Sequence, residues 1–135
     1  MAITQAMRTL FKKDLLLGDH HLDTDDIRIA LYTSSASLGA DTDAYTTSNE
    51  ITNTSGSAYS AGGKQLTSVA VAENSTSGVF DAADPEWTSA TFTARGALIY
   101  NDTASGDPAV AVLDFGSDKS ATSGTFTIQF PAAGG

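Results

Sequence analysis

Cysteine is absent from this chain, which removes disulfides and thiolate metal ligands from every reading that follows. A cysteine-free composition fits a protein made in a reducing cytoplasm. Basic residues are also scarce: seven Lys and Arg stand against sixteen Asp and Glu, for a formal net charge of -9. Three of the seven bases (Arg8, Lys12, Lys13) and one acid (Asp14) sit close together near the start, which leaves four bases against fifteen acids elsewhere. Nucleic-acid binding rests on Lys and Arg neutralising phosphates, so no nucleic-acid partner is expected. The acidity has two readings, plain solubility or a surface displayed outward on a particle, where like charge limits aggregation. No run approaches the ~20 apolar residues that span a bilayer. The opening Met1-Ala-Ile-Thr-Gln-Ala-Met-Arg8 lacks the basic-then-apolar order of a secretory leader. The expectation is a soluble chain with no membrane partner.

What the chain does have is Ser and Thr, which make up roughly a quarter of it, while Lys and Glu are few. Thr is stiff at its β-carbon and Ser competes with the helix backbone, so this balance suits strands and turns. Because these residues alternate with Val, Ile, Leu and Phe, the composition is not that of a disordered segment. With 135 residues the chain is expected to form a single domain, 1–135, large enough to bury roughly two-thirds of its unfolded surface.

Residues 3–17 read as an amphipathic helix, with Ile3, Met7, Leu10 and Phe11 on one side and Arg8 and Lys12 on the other. Thr4 is placed to cap its start and Gly18 to end it. A helix of this length is marginal alone, so it must dock, either on its own domain or on a neighbouring subunit. The alternation in Ile27-Arg-Ile-Ala-Leu-Tyr32 predicts a strand with Ile27, Ile29 and Leu31 facing inward. Residues 34–63 are polar, with only Leu38, Tyr45, Ile51 and Tyr59 as anchors, and read as an extended excursion that is mobile alone and orders against a partner. Residues 64–131 form the expected β core, with strands at 64–72, 78–81, 90–94, 97–100, 109–115 and 125–130. Turn residues punctuate the gaps, including Asn101 to Pro108 and Gly116-Ser-Asp-Lys119. In the last strand Phe126, Ile128 and Phe130 face the core and Thr125, Thr127 and Gln129 face water. Short strands at this spacing predict a mainly β fold, an antiparallel β-sandwich or small barrel with an N-terminal helix.

Candidate chemistry is sparse. His20 and His21 adjoin Asp19 and Asp23, but adjacent side chains diverge and no third His exists, so a solvated turn is the simpler reading. Asp23, Asp25 and Asp26 have oxygen-ligand spacing, yet the twelfth position from Asp23 is Ser34, not the Glu an EF-hand requires. Gly62-Gly-Lys64 lacks the upstream glycine of a phosphate loop and reads as a bulge or tight turn. Asn53, Asn74 and Asn101 begin glycosylation sequons, which mean little without a leader. Asp81, Asp84 and Glu86 beside Trp87 evoke an acid, a base and a stacking ring for a sugar, but Trp87 reads better as a core or interface anchor. No catalytic residue, cofactor or metal ligand is assigned.

The stretches Asp84-Pro-Glu-Trp-Thr-Ser-Ala-Thr-Phe-Thr-Ala-Arg-Gly-Ala-Leu-Ile-Tyr-Asn-Asp102, Val112-Leu-Asp-Phe-Gly-Ser-Asp-Lys-Ser120 and Thr125-Phe-Thr-Ile-Gln-Phe130 resemble a group of small tailed-phage virion proteins. The Phe11 to Gly18 helix, the Asp25 to Thr33 run and the Tyr59 to Lys64 element extend the resemblance over nearly the full length. It implies a non-enzymatic virion component made in the host cytoplasm. The favoured part is a head decoration (cement) protein, binding the major capsid protein and copies of itself, most simply as a trimer. The contact residues so expected are Met7, Leu10, Phe11, Tyr45, Ile51, Tyr59 and Trp87. Two other readings stand beside it: a tail, neck or connector component, and a host-glycan-binding module stacking sugars on Trp87, Tyr45 and Tyr59.

Overall fold

The computed structural model describes residues 3–52 and 57–130. In chain order its elements are β1 (Ala6–Met7), α1 (Thr9–Leu17), β2 (Ile27–Tyr32), β3 (Lys64–Gln65), β4 (Ala70–Asn74), β5 (Ser77–Asp81), β6 (Glu86–Asn101) and β7 (Ala109–Thr127). The fold is mainly β, and every pairing between named strands is antiparallel. One sheet runs β1-β7-β6-β2-β3, and β4 and β5 form a separate ribbon. The five-stranded sheet stays open at β1 and β3, so the barrel form of the expectation does not hold. No helix among the described residues is long and apolar enough to cross a membrane.

The alternation in β2 explains why this sheet lies at the centre. Ile29 pairs with Ile99 and Leu31 with Ala97, while Ala30 pairs with Leu98 between them. Ile27, Ile29, Leu31, Ala97 and Ile99 point to one face, where Phe11, Ile51, Tyr59, Trp87 and Phe126 cover them. Ala30, Tyr32, Leu98, Tyr100 and Val112 point to the other, under Ile3, Ala36 and Leu38. The sheet is therefore buried on both sides, which is why β2 and the second half of β6 are apolar at almost every position.

The two longest strands join what the sequence divides. The expected strands 90–94 and 97–100 are parts of β6, and 109–115 merges with the start of 125–130 into β7. Gly116-Ser-Asp-Lys119 is not a turn between strands. Ala94 faces Lys119 and Gly96 faces Asp114, so four residues of β7 stand opposite the single Arg95. Gly116 takes a φ of 81° there, and the irregularity bends the hairpin without ending it. Beyond it Phe92 and Phe126 close around Trp87, and Phe115 packs on Phe126. The expected alternation at the end of β7 holds, with Phe126 and Ile128 buried and Thr125, Thr127 and Gln129 exposed.

The helix is shorter than its periodicity suggests. It starts at Thr9, because Ile3 forms a bridge to Leu38 and Ala6–Met7 pairs with Ala111 and Val112. Thr4 caps nothing. Arg8 holds the N-cap position without a side-chain cap, whereas Gly18 ends the helix in the left-handed region as expected. The expected facing is also overturned: Met7 and Leu10 are exposed, and Arg8 is buried. The reason is electrostatic, since Arg8 meets Asp14 at 2.6 Å and Asp43 at 3.4 Å, and a paired guanidinium tolerates burial.

The 34–63 excursion carries almost no regular structure, yet its described residues are not a free loop. Ala36, Leu38, Glu50, Ile51, Ser57 and Tyr59 are buried in the chain's own fold. The Ile51 amide donates to the Leu31 carbonyl at 2.9 Å, and the Thr33 amide to Asn49 at 2.9 Å. The described residues of the segment thus pack on the chain's own fold without a partner, with Leu38, Ile51 and Tyr59 buried and Tyr45 half-buried.

Candidate functional site

Side chains with chemical potential gather in two buried centres. The first forms around Glu50, brought to the edge of β2 by a bridge to Tyr32. Glu50 Oε1 accepts from the Tyr59 hydroxyl at 2.5 Å and from the Gly62 amide at 2.8 Å. Its Oε2 accepts from the Tyr45 hydroxyl at 2.7 Å. The chain's other two tyrosines close the ring: Tyr100 donates to the Gly62 carbonyl at 2.6 Å and Tyr32 to the Thr46 carbonyl at 2.7 Å. Tyr45 stacks on Tyr100 with ring centroids 4.7 Å apart. Burial, reinforced by the Glu50 carboxylate, pushes the hydroxyls of Tyr32, Tyr45 and Tyr59 far above their ordinary value. Burial does the same to Tyr100, with Asp102 adding to it. All four stay neutral donors, and all serve to fasten the excursion to the sheet.

Gly62-Gly63 makes this possible. The Ser60 to Gly63 turn ends with Gly63 at a φ of 77°, so close to β2 that a Cβ would lie 1.8 Å from the Ile29 carbonyl oxygen. The expected tight turn is present, and Lys64 follows it with its ammonium donating to the Glu86 carbonyl and 5.4 Å from the Trp87 ring centroid.

The second centre links α1 to the β6–β7 turn. The His20 side chain is enclosed beside Phe11, with centroids 4.9 Å apart, and its Nδ1 lies 3.0 Å from Asn101 Nδ2. Asn101 also donates to Asp25 at 2.7 Å and its carbonyl accepts the Thr103 and Ala104 amides. His20 Nε2 has no hydrogen bond and lies 3.8 Å from Asp14. Burial holds His20 below its ordinary value of 6.5 against the pull of Asp14, Asp19 and Asp25. Burial acts to raise Asp25, but hydrogen bonds from Asn101 and the His21 amide bring it below its usual range. Arg8 and Asp14 also line a cleft of about 680 Å³ with Asp19, Asp43 and Gly106. Arg8, the one base among the described residues lining this cleft, is already paired to Asp14 and Asp43.

The motifs weighed from the sequence fall apart in space. His20 points inward while His21 is exposed, the divergence expected of neighbours. Asp25 serves Asn101, and Asp26 serves Arg28 at 3.3 Å. Among the described residues no group of three metal-ligating side chains converges. Asn101 is fully buried, so its sequon is inaccessible, and Asn53 lies outside the described residues. Asp81 accepts the adjacent Ala82 amide, and Asp84 accepts the Phe130 amide from the far end of the chain.

The expected contact residues divide. Phe11, Ile51, Tyr59 and Trp87 are buried within their own chain, and Tyr45 lies against Tyr100. Met7 and Leu10 are exposed, joined by three residues that the sequence reading left out: Leu15, Leu16 and Leu17, with Leu16 exposed to 90%. The only other large hydrophobic among the described residues that is exposed is Val71, on the ribbon. Leu15-Leu-Leu17 is the signal that was available, since three consecutive leucines on one helix turn cannot all face the same core. Compared with protein families, curated proteins and solved structures, the chain gives no match.

Proposed function

We propose that this chain is a non-enzymatic structural component of a tailed-bacteriophage virion, acting as a head decoration protein that binds the major capsid protein and copies of itself. The sequence resemblance supplies the virion. Its longest stretches, 84–102, 112–120 and 125–130, fall on β6 and β7, so what is shared is the scaffold hairpin and not a site.

The observation that carries the reading is where the reactive side chains go. Glu50, the four tyrosines, His20, Asp25 and Asn101 are consumed in fastening loops to the sheet. What faces outward is acidic surface and an apolar turn of α1, a composition suited to contact and not to turnover. Bound between capsid subunits, such a domain adds contact area against internal pressure. A tail, neck or connector role is the second reading, and copy number separates them. The glycan-binding reading loses its platform, because Trp87 and Tyr59 are core residues.

The test is purification of the particle and quantitation of this chain against the major capsid protein. Decoration requires many copies in fixed ratio over the head and earlier loss of packaged DNA on heating when the chain is missing. A copy number matching a single ring would place it in the neck or tail.

A further inference from the structure

Two exposed features of this chain are complementary to each other. On α1, Lys13, Leu16 and Leu17 share a face by helical spacing (i, i+3, i+4), with Leu16 exposed to 90% and Leu17 to 64%. On the ribbon, Val71 and Glu73 share one face of β4 by the strand period. Val71 is 56% exposed, and Glu73 is exposed opposite Gly78, which has no side chain to cover it. One patch is apolar beside a lysine; the other is apolar beside a glutamate. The ribbon has only two strands and meets the core through Val69 and Phe80, and a two-stranded ribbon alone in water is marginal. Of the three bases at α1, Arg8 is buried and paired to Asp14 and Asp43, which leaves Lys12 and Lys13 as the exposed positive charges of the helix.

We propose that the β4–β5 ribbon of one copy docks on the α1 face of the next copy, with Val71 against Leu16 and Leu17 and Glu73 paired to Lys13. The occupant is a second copy because the signs of Lys13 and Glu73 match and Leu16, Leu17 and Val71 beside them remain exposed in the single chain. The two surfaces differ, so the contact is head-to-tail and generates a closed ring or an open chain, not an isologous dimer. This deepens the proposed function and rests on its expectation of self-assembly.

Sedimentation across protein concentration tests it, with circular dichroism confirming that each variant is folded. The intact chain self-associates, and raising salt weakens it. Leu16→Asp with Leu17→Asp leaves monomers. Lys13→Glu and Glu73→Lys each raise the dissociation constant roughly tenfold or more. Mixing those two variants restores the larger assembly with the two alternating along it, because both contacts between unlike variants are then of opposite charge while each variant repels its own copies, and combining both changes in one chain restores it as well. A monomeric intact chain, or charge variants that associate as the intact chain does, overturns the proposal. Binding of the same variants to heads lacking the protein separates the two readings. Lys13→Glu that loses the head but keeps self-association sinks the ribbon contact while leaving decoration standing. Self-association through this contact with no head binding does the reverse.

Discussion

The Tyr59 hydroxyl sits between β2 and Glu50: it accepts the Leu31 amide at 3.0 Å and donates to the Glu50 carboxylate at 2.5 Å. One oxygen thus satisfies a buried backbone donor and half neutralises a buried charge. Tyr59→Phe leaves the buried Leu31 amide unpaired and removes one of the three hydrogen bonds to Glu50, and is expected to cost about 1–3 kcal/mol. Glu50→Ala strands the Tyr59 and Tyr45 hydroxyls and the Gly62 amide together, and should cost more. Denaturant unfolding measures both. If the two variants match the intact protein within a few tenths of a kcal/mol, the Glu50 centre does not hold the excursion.

Trp87 lies opposite Phe126 in the β6–β7 register and meets Tyr59, Phe92 and Phe126 at centroid distances of 6.2 to 6.3 Å. As it is 3% exposed in a single chain, its burial requires no partner. Trp87→Ala should cost about 3–5 kcal/mol. Acrylamide should quench the fluorescence of this single tryptophan slowly even in a dilute, monomeric sample. Fast quenching there, slowed only by assembly, would move Trp87 to an interface.

Gly63 fixes how closely the excursion returns to the sheet. Any Cβ would collide with the Ile29 carbonyl, and the backbone is already in the left-handed region. Gly63→Ala is expected to cost more than about 3 kcal/mol, through strain and the retreat of the Glu50 ring. Gly18 and Gly106 also have positive φ but open space around them, so Gly106→Ala should cost far less. Thermal melts of the two variants side by side decide the point.

The parts of this fold that can be read from the chain are those set by nearest neighbours. Ile27–Tyr32 alternates and is a strand; Phe126 and Ile128 alternate with Thr and Gln and face the core. What resists reading depends on residues far away in the chain. Arg8 looks like the outer face of a helix until Asp43 arrives, and Glu50 looks like a solvated acid until Tyr59 and Gly62 fold back on it. Gly116 carries every mark of a turn, yet the strand resumes because β6 continues to offer a partner on the far side. Of the candidate contacts, periodicity counted from Ile3 placed Met7 and Leu10 inward. The bridge of Ile3 to Leu38 delays the helix to Thr9 and turns them outward.

His20 gives the chain a pH dependence of definite sign. Charged and titratable groups face it from α1 (Asp14, with Arg8 just before the helix) and from the turn that follows (Asp19, Asp25), while Asn101 of β6 bonds its Nδ1. Burial outweighs the carboxylates, so the folded chain protonates His20 only below its ordinary value of 6.5. The unfolded chain binds that proton first as pH falls. The stability contributed is therefore complete above pH 6.5 and drains as pH drops toward the folded value. Asp25, whose folded value is lowered from 3.8, adds a separate loss in a more acidic window. His20→Gln removes the first window and keeps the second. The midpoint of thermal unfolding, followed from pH 7.5 down to about 4.5, should fall for the intact chain below 6.5 and stay flatter for the variant. A parallel decline in both would show that the buried imidazole is not the group that titrates.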